Sequence, residues 1–158
     1  MTQIFFSLIL TLILNIHPNH VYSKNFMDKG YYVIDLKQKI EWLKCSTGQQ
    51  WNDIECVGEP IKLDLKEAEE ALKILNEQIE GNWRLPTKKE LKNLICSECE
   101  GAKIDKSFFP NTPAEPFWTS QRNWWSPKFY WSVNFFTGHT YGRFVPEKKL
   151  FIRFVRDR

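Results

Sequence analysis

The sequence carries little net charge: 22 Lys and Arg against 19 Asp and Glu leave +3. Proteins that bind nucleic acid concentrate far more basic charge than that, so nucleic acid is not an expected partner. A membrane-spanning run is missing as well. Ile4 to Ile16, IFFSLILTLILNI, has no charge, but it is thirteen residues long, and a helix needs ~20 to cross a bilayer. There is no internal repeat, no low-complexity run and no linker that would split the chain. Histidine is scarce, and beyond residue 23 only His139 remains. It falls on an expected turn, where no Ser or Cys can be placed beside it as an activated nucleophile. The clustered carboxylates Glu67, Glu69 and Glu70 read as solvated helix surface. Neither catalysis nor a cofactor is expected.

What is present begins with the amino terminus. Ile4 to Ile16 matches the apolar core of a secretory signal peptide, and Val21-Tyr22-Ser23 supplies small residues for cleavage before Lys24. No Lys or Arg precedes the apolar core. The expected organisation is a signal peptide over residues 1–23 and a single domain over residues 24–158. The destination is then the periplasm, the cell surface or the medium, with no stable membrane span after cleavage.

Export decides how the four cysteines are read, because oxidising compartments favour disulfides. Cys45, Cys56, Cys96 and Cys99 allow three pairings. Proximity favours Cys45–Cys56 and Cys96–Cys99, the first closing a loop that stabilises the fold by roughly 2–3 kcal/mol. A four-thiolate zinc site wants two close pairs, and Cys45 with Cys56 is not one. A redox role for Cys96-Ser97-Glu98-Cys99 lacks the strand-then-helix setting, and Glu98 and Glu100 raise a thiol pKa.

Along the chain, Tyr31 to Leu36 and Ile40 to Cys45 read as a β-hairpin whose turn lacks glycine. A loop clipped between Cys45 and Cys56 follows. Asp64 caps a helix with Glu67 as its capping-box partner, and Leu65, Ala68, Ala71, Leu72, Leu75 and Ile79 form its apolar stripe. Gly81 then takes the left-handed position that ends it. In GNWRLPTKKEL, Trp83 and Leu85 point one way and Arg84 the other. Pro86 stops the extended run, and Thr87 caps a second helix with Glu90. The segment is a corner with Trp83 as core anchor, and none of its residues needs a ligand. Strands are expected at Phe117–Ser120, Phe129–Phe136 (Trp131, Val133 and Phe135 on one face), Tyr141–Val145 and Leu150–Arg156. A hairpin, two helices and then antiparallel strands make an α+β domain.

These blocks carry a resemblance. CSTGQQW, GNWRLPTKKEL, IDKSFFPNTP, FWTS, YWSVNFFTG and FIRFVR, in that order, resemble the Lcl C-terminal domain family, named for a collagen-like adhesin of Legionella and long filed as a domain of unknown function. The likeness runs from about Tyr31 to the end, and WRLPT followed by EL is its most specific part. It implies a C-type-lectin-like fold in an exported bacterial protein, and relatives of this kind sit on cell surfaces and bind polyanionic sugars. Many members carry a cysteine in the last strand where this chain has Phe154, so no disulfide is expected there. Trp51-Asn52-Asp53 spells a tripeptide that supplies calcium ligands in some lectins. Here it lies early, without an EPN or QPD partner, and six to eight converging oxygens cannot be assembled. Trp51 is read as a loop anchor and Asn52-Asp53 as a turn, with no metal.

One stretch is a candidate binding surface. Ser120 to Phe144 mixes aromatics with cations, and the residues singled out are Arg122, Trp124, Trp125, Lys128, Tyr130, His139 and Arg143. Adjacent Trp124 and Trp125 are expected to face different ways, one stacking on a sugar while Arg recognises sulfate or carboxylate. Trp118 and Trp131 are assigned to the core. The expectation is adhesion to acidic or sulfated polysaccharide or glycoconjugate at the bacterial envelope. The competing reading is an assembly module that docks on another envelope protein and ignores sugar.

Overall fold

The structure, a computed structural model, describes residues 25–158; the expected signal segment lies outside the described residues. The first sheet has four antiparallel strands in the order β1-β2-β3-β9, formed by Phe26–Asp28, Tyr32–Asp35, Ile40–Leu43 and Val155–Asp157. The expected hairpin is its centre. Its turn manages without glycine because the buried Asp35 carboxylate accepts from the Lys37 and Gln38 amides at 3.0 and 2.9 Å, while Lys39 takes the left-handed conformation. The short pair β4 (Gln50–Trp51) and β5 (Cys56–Val57) follows in the clipped loop. Cys45–Cys56 and Cys96–Cys99 are both disulfides, as proximity suggested.

Helix α1 is Leu65–Gln78 and α2 is Lys88–Lys92, each opened by its expected capping box. The second sheet is antiparallel in the order β6-β7-β8, from Pro116–Arg122, Tyr130–Asn134 and Thr140–Phe144. Among the described residues no helix is long and apolar enough to cross a membrane. The molecule is mixed α and β with antiparallel sheets and two helices, in line with the sequence reading.

Two apolar clusters fill the interior, and one segment serves both. Residues 150–155 are all buried. Phe151 and Val155 join Val33, Trp42, Phe117 and Phe135, whereas Leu150, Ile152 and Phe154 join Trp83, Trp118 and α1. Alternation of side chains along an extended backbone produces this division. The expected strand Leu150–Arg156 is therefore only partly a ladder strand. Leu150 bridges Leu63 and Phe151 bridges Phe117 before the chain pairs with β3 from Val155.

The corner at Gly81 holds the fold in a different way from the one expected. Gly81 does not act as a left-handed helix stop: α1 ends two residues before Glu80, and Gly81 has φ of +134°. A Cβ there would collide with the Arg156 guanidinium. That guanidinium donates to the Glu80 carbonyl and the Glu41 carboxylate, both at 2.6 Å, and lies 4.6 Å from the Trp83 ring centre. Asn76 fastens the Trp83 backbone from the helix side, accepting from its N–H at 2.8 Å and donating to its carbonyl at 3.1 Å. Arg84 pairs through its backbone with Val155 and through its guanidinium with both Glu90 oxygens and Asp157.

Burial raises the Glu90 carboxyl, but the Arg84 guanidinium and the Thr87 N–H outweigh it and hold Glu90 below its ordinary value of 4.5. A carboxyl depressed on folding adds stability above its unfolded pKa and loses it as pH falls through the folded one. Glu90→Gln is therefore expected to lower stability at neutral pH and to flatten its decline below about pH 4.5, as read from urea midpoints across that range. An acid limb as steep as the parent's would contradict this role.

Candidate functional site

The β6-β7 connection, residues 123–129, is built on Asn123. This buried side chain donates to the Gly142 carbonyl of β8 at 2.7 Å and accepts from the Trp125 N–H at 3.1 Å. Its backbone N–H reaches the Phe129 carbonyl at 2.7 Å, closing the loop. One amide thus fixes the loop to the strand two places across the sheet.

Above this anchor Trp124 and Trp125 are both exposed, at 70 % and 73 %. Their ring centres are 3.7 Å apart with the planes tilted by 32°. The expectation that neighbouring tryptophans must diverge holds for a strand; here the chain turns at these residues, so the rings swing onto each other. Monomeric proteins normally bury large aromatics or spread them singly. A stacked, solvent-facing pair on a pinned loop presents an apolar platform that none of the described residues covers.

Three cations lie at the same end of the sheet. Arg122 is directly across from Tyr130 in the ladder and donates to the Tyr130 hydroxyl from Nε and Nη2, at 3.2 and 2.9 Å. Tyr130 is also packed edge-on against the buried Trp118, so a rigid ring orients the guanidinium. Lys128 is exposed in the loop, its Nζ 5.0 Å from the Phe129 ring centre. Arg143 is exposed on β8 beside Phe144, which pairs with Tyr130. Arg122, Trp124, Trp125, Lys128, Tyr130 and Arg143 therefore gather at one end of the second sheet.

His139 does not join them. It lies in the β7-β8 turn, where its carbonyl accepts from the Asn134 N–H. In an antiparallel sheet that turn is at the opposite end from residues 123–129, on the order of 13 Å away along β7 at ~3.3 Å per residue. Nor is Trp131 a core residue, unlike Trp118, which is fully buried. Trp131 is half-buried and lies on the Gly142 backbone where β7 and β8 slip register, with Lys88 Nζ 3.7 Å from its ring centre. A Cβ on Gly142 would come within 2.9 Å of three Trp131 ring atoms. Gly142→Ala is expected to destabilise the fold by about 1–3 kcal/mol through overpacking, measured by denaturant unfolding; no change would contradict this contact.

Asn123 is the site residue that sequence reasoning missed. A signal was available, since an Asn before an exposed pair and a Ser-Pro is turn chemistry, but its long reach to β8 was not readable. Asn52 and Asp53 do form the expected turn, with Asn52 Oδ1 accepting from the Ile54 and Glu55 amides and Asp53 at φ +76°.

A sequence profile of the Lcl C-terminal domain matches residues 31–156. No curated protein and no solved structure matches the chain.

Proposed function

This chain belongs to the Lcl C-terminal domain family, and from that premise we propose that it is an exported, non-catalytic, lectin-like module that binds acidic or sulfated glycans at the bacterial envelope. The observation that carries the proposal is the stacked Trp124–Trp125 pair, exposed on a loop pinned by Asn123, with Arg122, Lys128 and Arg143 at the same end of the second sheet. An aromatic face suits the apolar face of a sugar ring, and guanidinium and ammonium groups suit its sulfate or carboxylate.

The remaining parts of the proposal have their own support. A C-type-lectin-like fold is supported by the hairpin that shares a sheet with the last strand, followed by two helices and a separate antiparallel sheet. Export is supported by two disulfides, which persist in oxidising compartments. The pairing of all four cysteines leaves no free thiol to act as a nucleophile.

Titrating residues 24–158 with dextran sulfate and with uncharged dextran, which share a backbone, tests the reading. Saturable binding to the sulfated polymer alone is expected, weakening as salt screens the exposed charges. Equal binding to both polymers, or to neither, would contradict it.

A further inference from the structure

Lys88 opens α2, which packs against β6 and β7. Its Nζ lies 3.7 Å from the centre of the Trp131 ring, and attraction between the ammonium and the ring face holds the long side chain in place. Both residues are half-buried. Among the described residues Lys88 makes no ion pair and no side-chain hydrogen bond. Carboxylates are out of its reach or already engaged. From Pro116 to Pro146 the sequence has no Asp or Glu, and Glu90, the acid of α2, gives both oxygens to Arg84. The buried polar atoms left without a partner belong to Trp42, Thr47, Trp51, Trp83 and Arg153. Lys88 Nζ is not one of them, so it keeps contact with water. It is a fixed and accessible cation with no counter-charge.

A chain of contacts ties this ammonium to the tryptophan loop. The Asn123 side chain accepts from the Trp125 N–H and donates to the Gly142 carbonyl. The Trp131 ring lies against the Gly142 backbone, and the same ring holds Lys88. The slip in register sets Gly142 and Arg143 together opposite Trp131, as in a β-bulge. Tyr130 and Trp131 are neighbours in β7 and project to opposite faces. Arg122 is therefore held by Tyr130 on one face, and Lys88 by Trp131 on the other.

We propose that Lys88, seated on Trp131, is a second anion subsite of the glycan surface, reached by one polyanionic chain that passes over the end of the sheet. The proposal rests on the glycan reading of the tryptophan loop. A sulfate or carboxylate meets an ammonium that is already positioned, so little side-chain freedom is lost on binding. Trp131 is the positioning residue, and Lys88 makes the contact.

The test titrates residues 24–158 with dextran sulfate and follows the indole N–H signals by nuclear magnetic resonance. The Trp131 signal should shift and saturate at the same polymer concentration as those of Trp124 and Trp125. Lys88→Met keeps an apolar stem over the ring and removes the charge. It should weaken binding about three- to tenfold and reduce its salt dependence. Lys88→Arg, still a cation over the ring, should bind within about twofold of the parent. Lys73→Met removes an exposed charge from α1 and should leave binding unchanged. Urea midpoints report whether each variant is folded, and the Trp131 signal of the parent decides alone if Lys88→Met is not. A Trp131 signal that stays still or saturates apart from the loop signals would overturn the subsite while the loop reading stands. So would folded Lys88→Met that binds no more weakly than Lys73→Met. No binding of dextran sulfate by the parent would overturn both.

Discussion

Replacing Arg153 by Met is expected to lower the unfolding free energy by about 3–5 kcal/mol, a large part of the ~5–15 kcal/mol that holds a domain of this kind together. Arg153 is fully buried and has no carboxylate partner among the described residues. Its guanidinium donates to the Leu43 carbonyl at 2.8 Å, to the Lys44 carbonyl, to Ser46 Oγ at 3.3 Å and to Thr112 Oγ1 at 2.6 Å. The Phe109 ring centre lies 4.9 Å from its central carbon. Burial alone pushes the group down from its ordinary value, to about 9, so it stays charged at neutral pH.

Exchanging a buried charge for an apolar side chain can be harmless when its partners are exchanged too. Here the partners stay behind. Two carbonyls and two hydroxyls, from the end of β3, the clipped loop and the loop after Phe109, would be left buried without donors, each costing about 1–3 kcal/mol before relaxation. Arg153→Lys should recover only part of the loss, because one ammonium cannot span partners on three segments. Urea midpoints with an unchanged m-value provide the measurement. A loss below about 1 kcal/mol would mean that the acceptors find other partners or water.

The second large effect is on binding. Replacing Trp124 and Trp125 together by Ala is expected to weaken binding to dextran sulfate at least about thirtyfold, as for an aromatic hot spot worth 2 kcal/mol or more. Stability should be almost unchanged, because both rings lie outside the two cores and exposed positions usually shift it by less than about 0.5 kcal/mol. That separation matters, since a packing role would produce the reverse pattern. Arg122→Gln should weaken binding less and reduce its salt dependence. Loss of stability without loss of binding in the tryptophan variant would assign the loop to the fold.

Features that depend on near neighbours were legible in the sequence. Both capping boxes, both disulfides, the first hairpin and the Asn52-Asp53 turn follow from residues a few places apart. Features that depend on distant partners were not. The run LFIRFVR reads as one strand, yet its two faces belong to different cores and Arg153 is interior. Gly81 reads as a helix stop because its role is defined by Arg156, seventy-five places on. Trp131 reads as core by alternation, yet it lies half-buried on the Gly142 backbone where β7 and β8 slip register.

The candidate site divides in the same way. Composition alone marked Ser120 to Phe144 as aromatic and basic, and six of the seven residues singled out do meet at one end of the sheet. His139 was included by proximity along the chain, whereas an antiparallel hairpin sends it to the far end. The stacking of the two tryptophans depended on a turn that alternation reasoning treated as extended. Asn123, which makes that turn rigid, carried no charge or ring to draw attention.

The most direct test of the account is to follow the indole N–H signals of the seven tryptophans by nuclear magnetic resonance while dextran sulfate is added. The signals of Trp124 and Trp125 should shift first and furthest and saturate together, while those of the buried Trp42, Trp83 and Trp118 stay in place. Absence of any shift, or shifts confined to other indoles, would contradict a glycan-binding tryptophan loop.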